Sequence, residues 1–244
     1  MKLTNDQIDQ FNTDGFLLLK DFAKAELCDK ILEKSKEHIK LLKQPIESEE
    51  EYLQEDKSDI TLRRLRQVYD REEVFKEWMT NAKIRPILKE LLGETPVLTL
   101  AHHNSIMTKM PHISSKTSWH QDKRYWNYED DNLLSVWLAL DDEYIENGLL
   151  EFIPGSHKMD FENDQFDERT SFIGDLEKNQ SVIAKRVHHN LKKGDVVLFH
   201  CKTLHYAGKN NTDKAKISFV YTVKGISTKA KEGTRSDYKE VVLD

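Results

Sequence analysis

The stretch Leu134–Asp142, LSVWLALDD, followed by Glu146-Asn147-Gly148 and then by Leu150–His157, LEFIPGSH, decides the fold. Two short apolar runs, Leu133–Leu140 and Leu149–Ile153, are separated by Glu146-Asn147-Gly148, and Pro154-Gly155-Ser156 closes the second. Such tripeptides supply the tight or positive-φ backbone that strand reversal requires, so the pattern is strand, turn, strand, turn. Working outward, Val97–Lys109, Val182–His188, Val196–Phe199 and Ile217–Val223 are predicted as strands too, with Lys193-Gly194-Asp195 as a further turn. Upstream the periodicity changes. Thr4 and Gln7 form a capping box opening a helix that carries Ile8 and Phe11 on one face and stops near Gly15. Phe16–Leu19 follows as a strand. Leu27, Cys28, Ile31, Leu32, Ile39 and Leu42 then recur at helical spacing between Lys24 and Lys43. Helical segments are also predicted around Val74–Met79 and Ile84–Leu92, the latter stopped by Gly93.

Residues 44–60 contain Pro45 and carry Glu47, Glu49, Glu50, Glu51, Glu55 and Asp56, which predicts a solvated loop whose acidity needs no functional role. Helices first and strands later predict a mainly β protein with flanking helices. Its β-sandwich or barrel core spans about residues 95–223, and a helical N-terminal layer over about residues 1–93 buttresses it. No Gly/Ser-rich or Pro-rich linker divides the chain, so residues 1–244 are expected to form a single domain.

Charged residues make up 33% of the sequence and hydrophobic residues 38%, a globular composition that argues against disorder. The net charge of -6, with both signs intermixed, offers no broad cationic surface for nucleic acid or anionic lipid, so the expected partner is a small molecule. No run is long and apolar enough to span a membrane, and an apolar signal core is missing from the N-terminus. Cys28 and Cys201, the two cysteines, fit a reducing compartment as buried small hydrophobes. A cytoplasmic location is the expectation.

The chemistry lies in His120 and Asp122. On a strand, residues two apart share a face, so an imidazole nitrogen and a carboxylate oxygen can be presented to one point. Two histidines and one carboxylate on one face of an octahedron leave three positions open, as non-haem Fe(II) oxygenases require. A third ligand must come from elsewhere, and His200 and His205, flanking residues 201–204, both qualify by residue type.

The run Trp119-His120-Gln121-Asp122-Lys123-Arg124-Tyr125-Trp126 resembles the iron-binding segment of the phytanoyl-CoA dioxygenase family. The 134–157 stretch resembles that family's central strand pair with its proline-glycine turn. Gly194–His200 through Leu204-His205-Tyr206-Ala207-Gly208 and Asn210 resembles its distal-histidine segment. The resemblance implies a double-stranded β-helix core of the jelly-roll, cupin-like kind. It implies His120, Asp122 and His205 as ligands of Fe(II), with His205 selected over His200 because only His205 sits in the histidine-to-asparagine pattern. Lys109 and Trp137 fall where the family places residues lining the 2-oxoglutarate pocket. Where the family usually has arginine, eleven residues after the distal histidine, this chain has Lys216, which keeps the charge and loses the bidentate fork. Either Lys216 or Lys109 is expected to hold the distal carboxylate of 2-oxoglutarate.

The activity implied is an Fe(II)- and 2-oxoglutarate-dependent dioxygenase that hydroxylates a small molecule with O2, the Asp122 carboxylate occupying the position a halide would need in a halogenase. The alternative is a cupin-like metal protein that binds or isomerises a ligand without O2 chemistry. Arg63, Arg64 and Arg66 are candidates for steering an anionic group, although alternating charge on a helix is commonly just solvated.

Overall fold

The Thr4 hydroxyl accepts the Gln7 N–H while the Gln7 side chain accepts the Thr4 N–H, opening helix α1 (Asn5–Asp14). That helix ends on Gly15 at φ 82°, a left-handed turn that a Cβ would disfavour. The chain continues through β1 (Phe16–Leu19), α2 (Ala25–Lys40), β2 (Ile46–Ser48), α3 (Glu49–Leu53), β3 (Leu62–Arg66), α4 (Glu73–Met79) and α5 (Arg85–Leu92). Then come β4 (Pro96–Thr99), β5 (Ser105–Lys109), β6 (Thr117–His120), β7 (Leu133–Ala139), β8 (Leu150–Phe152), α6 (Glu177–Ile183) and β9 (Val187–His188). The last strands are β10 (Val196–His200), β11 (His205–Ala207), β12 (Lys216–Gly225) and β13 (Glu240–Val242). The computed structural model describes residues 2–53 and 61–244.

Among the described residues the strands make two antiparallel sheets. The larger runs β1-β10-β7-β12-β5-β3-β2, with β4 also on β12 and β13 on β4; the smaller runs β6-β11-β8-β9. Directly opposed residues share a face of a pleated sheet. One row across the larger sheet therefore reads Leu18, Val197, Trp137, Val220, Ser105 and Arg66. Its apolar members pack toward the smaller sheet, on Leu150, Phe152 and Ala207. The alternate residues of β12, Ile217, Phe219, Tyr221 and Val223, point the other way and bury against Ile31 of α2, Phe75 and Trp78 of α4 and Ile87 of α5. Period-two alternation thus gives one sheet two apolar faces, one covered by helices and the other by a second sheet.

Four expectations from the sequence are corrected. The 97–109 run is two strands, interrupted by a loop in which His103 takes φ 42°. Val182 and Ile183 lie in α6, packed under the Trp119 and Phe172 cluster, and only Val187–His188 is strand. Their apolar character serves a helix face. Residues 46–53 form β2 and α3, with Glu49 buried; Glu55 and Asp56 lie outside the described residues. Arg63, Arg64 and Arg66 are on a strand, with a register irregularity opposite Glu47 and Ser48.

Candidate metal centre and its cavity

His120 ends β6, and β6 pairs with β11 so that His205 stands directly opposite it. The strand stops at His120, but Gln121 remains extended (φ -115°, ψ 125°) before a single 3-10 turn begins at Asp122. The alternation expected of a strand therefore still delivers Asp122 to the same side. Gln121 Nε2 donates to Lys202 O at 2.6 Å and Lys123 N to Cys201 O at 2.9 Å, stapling this turn to the segment before β11.

The ligand atoms of His120, Asp122 and His205 lie within 4.8 Å of one another, and each histidine Nε2 is 3.7 or 3.8 Å from Asp122 Oδ1. Each Nδ1 meets a backbone carbonyl, Ser118 O at 2.8 Å for His120 and Thr203 O at 2.9 Å for His205. A carbonyl can only accept, so Nδ1 carries the proton and Nε2 turns a lone pair toward the carboxylate. Burial pushes His120 down to about 4 and His205 well below the usual imidazole range. Burial also raises Asp122 to about 8, opposed in part by the Ser135 hydroxyl, which donates to Oδ2 at 3.3 Å. Two lone pairs and a carboxylate thus converge with no lysine or arginine, among the described residues, within ion-pair distance of Asp122. That donor set fits a divalent cation, whose charge would answer the carboxylate and both lone pairs at once.

Thr203 is itself anchored. Its hydroxyl donates to Gly15 O at 2.8 Å, and a Cβ on Gly15 would fall 2.5 Å from that hydroxyl and 2.4 Å from His157 Nδ1. The end of α1 therefore reaches the carbonyl that orients His205.

A cavity extends from the triad between the two sheets, lined by Trp137, Lys109, Lys216 and Arg63. Lys216 and Lys109 are opposed across β12 and β5, so both point inward. Lys216 Nζ is paired with buried Glu143 Oε2 at 3.1 Å. Ser218 Oγ also donates to Glu143, at 2.6 Å, and Trp137 Nε1 at 3.1 Å. Lys109 Nζ donates to the carbonyls of Ser115 (2.6 Å) and Ala207 (3.4 Å) and, among the described residues, has no acid within ion-pair distance. Burial, then Arg63 and Lys216, push it down to about 6.

Sequence reasoning missed two residues here, Glu143 and His103, and gave Arg63 a different part. Glu143 was hidden in an acidic run, Asp141-Asp142-Glu143, that looks like surface. Arg63 is buried, bonded to Glu49 at 3.2 Å and Thr117 Oγ1 at 2.9 Å, which gives the acidity of the 44–53 segment a structural purpose. His103 places Nε2 3.4 Å from Asp122 Oδ1 and Nδ1 3.1 Å from Ser135 Oγ, a position set by its positive-φ loop, for which no motif signals. The rival His200 stands outside the triad, its Nδ1 accepting the Lys202 N–H at 3.1 Å and its ring beside His157.

The model of the phytanoyl-CoA dioxygenase (PhyH) family matches residues 11–218. A "Phytanoyl-CoA dioxygenase domain-containing protein 1 homolog" of Caenorhabditis briggsae is 29% identical over 159 residues, 61% of this chain and 54% of the relative, so the match spans about half that protein's length. A "Probable alpha-ketoglutarate-dependent hypophosphite dioxygenase" of Stutzerimonas stutzeri is 29% identical over 206 residues, 81% of this chain and 70% of the relative. Among solved structures, the non-heme alpha ketoglutarate dependent carbocyclase SnoK from nogalamycin biosynthesis superposes with a TM-score of 0.77 at 18% identity, covering 96% of this chain and 89% of its own. The sandwich is thus the jelly-roll fold that the sequence motifs imply.

Proposed function

Because this chain belongs to the phytanoyl-CoA dioxygenase family, we propose that it is an Fe(II)- and 2-oxoglutarate-dependent dioxygenase that oxidises a small molecule with O2. The observation that carries the reading is the tautomer lock: both imidazoles are fixed through Nδ1 by backbone carbonyls, so that two Nε2 lone pairs and Asp122 form one open-faced donor set. Iron and 2-oxoglutarate, when bound, supply O2 activation coupled to oxidative decarboxylation of the keto acid. His120, Asp122 and His205 hold the metal, and the enclosed cavity beside them excludes water. Trp137 forms a wall, its indole N–H tied to Glu143. Lys109 holds the distal carboxylate of 2-oxoglutarate together with Lys216, and Lys109 carries more of that interaction because Lys216 is shared with Glu143. The described residues act as one catalytic domain in which the helical layer supports the β core.

The relatives support the co-substrate, one being described as a probable alpha-ketoglutarate-dependent dioxygenase. Asp122 keeps a carboxylate in the coordination position that a halide would need, so hydroxylation or a related oxidation is the expected outcome, with no halogenated product when chloride or bromide is present. Anaerobic protein mixed with Fe(II) and 2-oxoglutarate is expected to develop a weak visible metal-to-ligand charge-transfer band. A protein that binds Fe(II) but shows neither the band nor O2-coupled succinate release would favour a metal-binding protein without oxygenase chemistry.

A further inference from the structure

Of the arginines in Leu62-Arg63-Arg64-Leu65-Arg66, Arg63 is consumed internally by Glu49, Thr117 and Ser115. Arg64 is half consumed: its Nη2 meets Glu47 Oε2 at 2.5 Å, while its buried Nε has no hydrogen-bond partner. Arg66, two residues on and on the same inner face, has no acid within ion-pair distance among the described residues, nor has Arg235. Arg235 comes from the far end of the sequence, held by the adjacent Ser236, whose buried hydroxyl meets His102 Nε2 at 2.8 Å and accepts the Asn127 N–H at 2.8 Å. Partial burial and the neighbouring Arg66 and Arg64 hold the Arg235 guanidinium below its usual range, opposed by Glu47, while its outer side stays open to solvent.

Arg64, Arg66 and Arg235 line one recess, and Arg64 and Arg235 also line the wider cleft that opens onto His120 and Asp122. His103 borders both, between the recess and the triad. Three guanidiniums around one carboxylate, in a chain of net charge -6, repel one another unless an anion joins them. Guanidinium forks are matched to oxyanions with two or more acceptor oxygens.

We propose that this recess is an oxyanion site formed by Arg64, Arg66 and Arg235, taking a carboxylate or phosphate group and anchoring the substrate by it, so that the oxidised carbon projects past His103 toward the triad. That the anchored molecule is the substrate rests on the dioxygenase reading; the anion site itself does not.

Calorimetric titration at low ionic strength separates the two. The full chain is titrated with inorganic phosphate and, separately, with acetate, first metal-free and then loaded with Zn(II) and one equivalent of 2-oxoglutarate, which the metal and inner cavity take up ahead of the recess. One site is expected in both states, and Arg66→Gln and Arg235→Gln should each weaken it roughly tenfold, as loss of one charge-assisted contact does. Arg235→Lys should recover part of the loss, and Lys20→Gln, at an exposed position, should change nothing. Phosphate binding without acetate binding assigns a phosphorylated anchor, and the reverse a carboxylate. Binding of neither anion to the wild type, or unchanged affinity in Arg66→Gln/Arg235→Gln with unaltered melting temperature, overturns the proposal. Failure of 2-oxoglutarate to bind while phosphate binding persists would instead overturn the dioxygenase reading and leave the anion site standing.

Discussion

The two ends of the cavity between the sheets handle buried charge in opposite ways. At the triad, two imidazole lone pairs face the Asp122 carboxyl group, which no lysine or arginine among the described residues pairs with. At the floor, Lys216 is answered by the protein's own Glu143, and Ser218 and Trp137 fill that carboxylate's remaining acceptor positions. The first end is completed only by a cation from outside; the second is complete already. On the proposed role, an incoming dianionic keto acid would find Lys109 without an acid partner among the described residues, where the sequence leaves Lys216 and Lys109 as rivals for its distal carboxylate.

The most severe break in this contrast comes at the triad. Asp122→Ala or His205→Ala is expected to weaken Fe(II) binding roughly a thousandfold or more, beyond the 10–100-fold typical of losing an outer partner. His200→Ala should leave it unchanged. Anaerobic Fe(II) titration checks both, and retention of binding in His205→Ala with loss in His200→Ala would reassign the distal ligand.

At the floor, Lys216→Ala strands Glu143 as a buried, unpaired anion. A stability loss of about 3–5 kcal/mol is expected, measured by urea unfolding of metal-free protein. Lys216→Met with Glu143→Leu should recover most of it, because removing both charges removes the penalty of either. A Lys216→Ala variant as stable as wild type would show that water reaches the floor and that its closure is not real.

Lys109 gives the contrast a pH signature. On its proposed role the protonated form binds the keto acid, and burial pushes its free-state pKa down to about 6, so 2-oxoglutarate affinity should be flat below that value. Above it, affinity should fall by up to about tenfold per pH unit, with proton uptake on binding, until the higher bound-state pKa is reached. Calorimetry in buffers of different ionisation enthalpy reads the uptake, and Lys109→Ala should abolish it. A pH-independent affinity between 6 and 8 would return the carboxylate to Lys216.

The mildest effect tests whether Glu143 competes with the co-substrate. Glu143→Gln frees the Lys216 ammonium, and one regained charge-assisted bond should tighten 2-oxoglutarate binding roughly tenfold. Weaker binding instead would make Glu143 the residue that aims Lys216.

The sequence makes the triad end legible and the floor nearly opaque, for a physical reason. His120, Asp122 and His205 sit in local patterns, an extended i,i+2 pair and a strand with its turn, so their neighbours along the chain announce them. Glu143 and Arg63 derive their roles largely from partners 52 to 75 positions away, and His103 from a left-handed loop. A buried carboxylate in Asp141-Asp142-Glu143 carries no local mark distinguishing it from its two less buried neighbours. The same limit explains the fold. The β7, β10 and β12 strands and the α1 cap follow from period and turn chemistry, whereas Val182 and Ile183 read equally well as strand or as one face of a short helix.

Gly15 gives the metal centre a dependence on time. Helix ends open in local fluctuations that cost far less than unfolding the whole chain. An opening of α1 that reaches Gly15 would withdraw the acceptor of the Thr203 hydroxyl, and with it the fixed carbonyl that holds the His205 ring in register. The residence time of a bound ion would then be clocked by the fraying of a ten-residue helix that never touches it, and affinity and exchange rate would become separately adjustable properties.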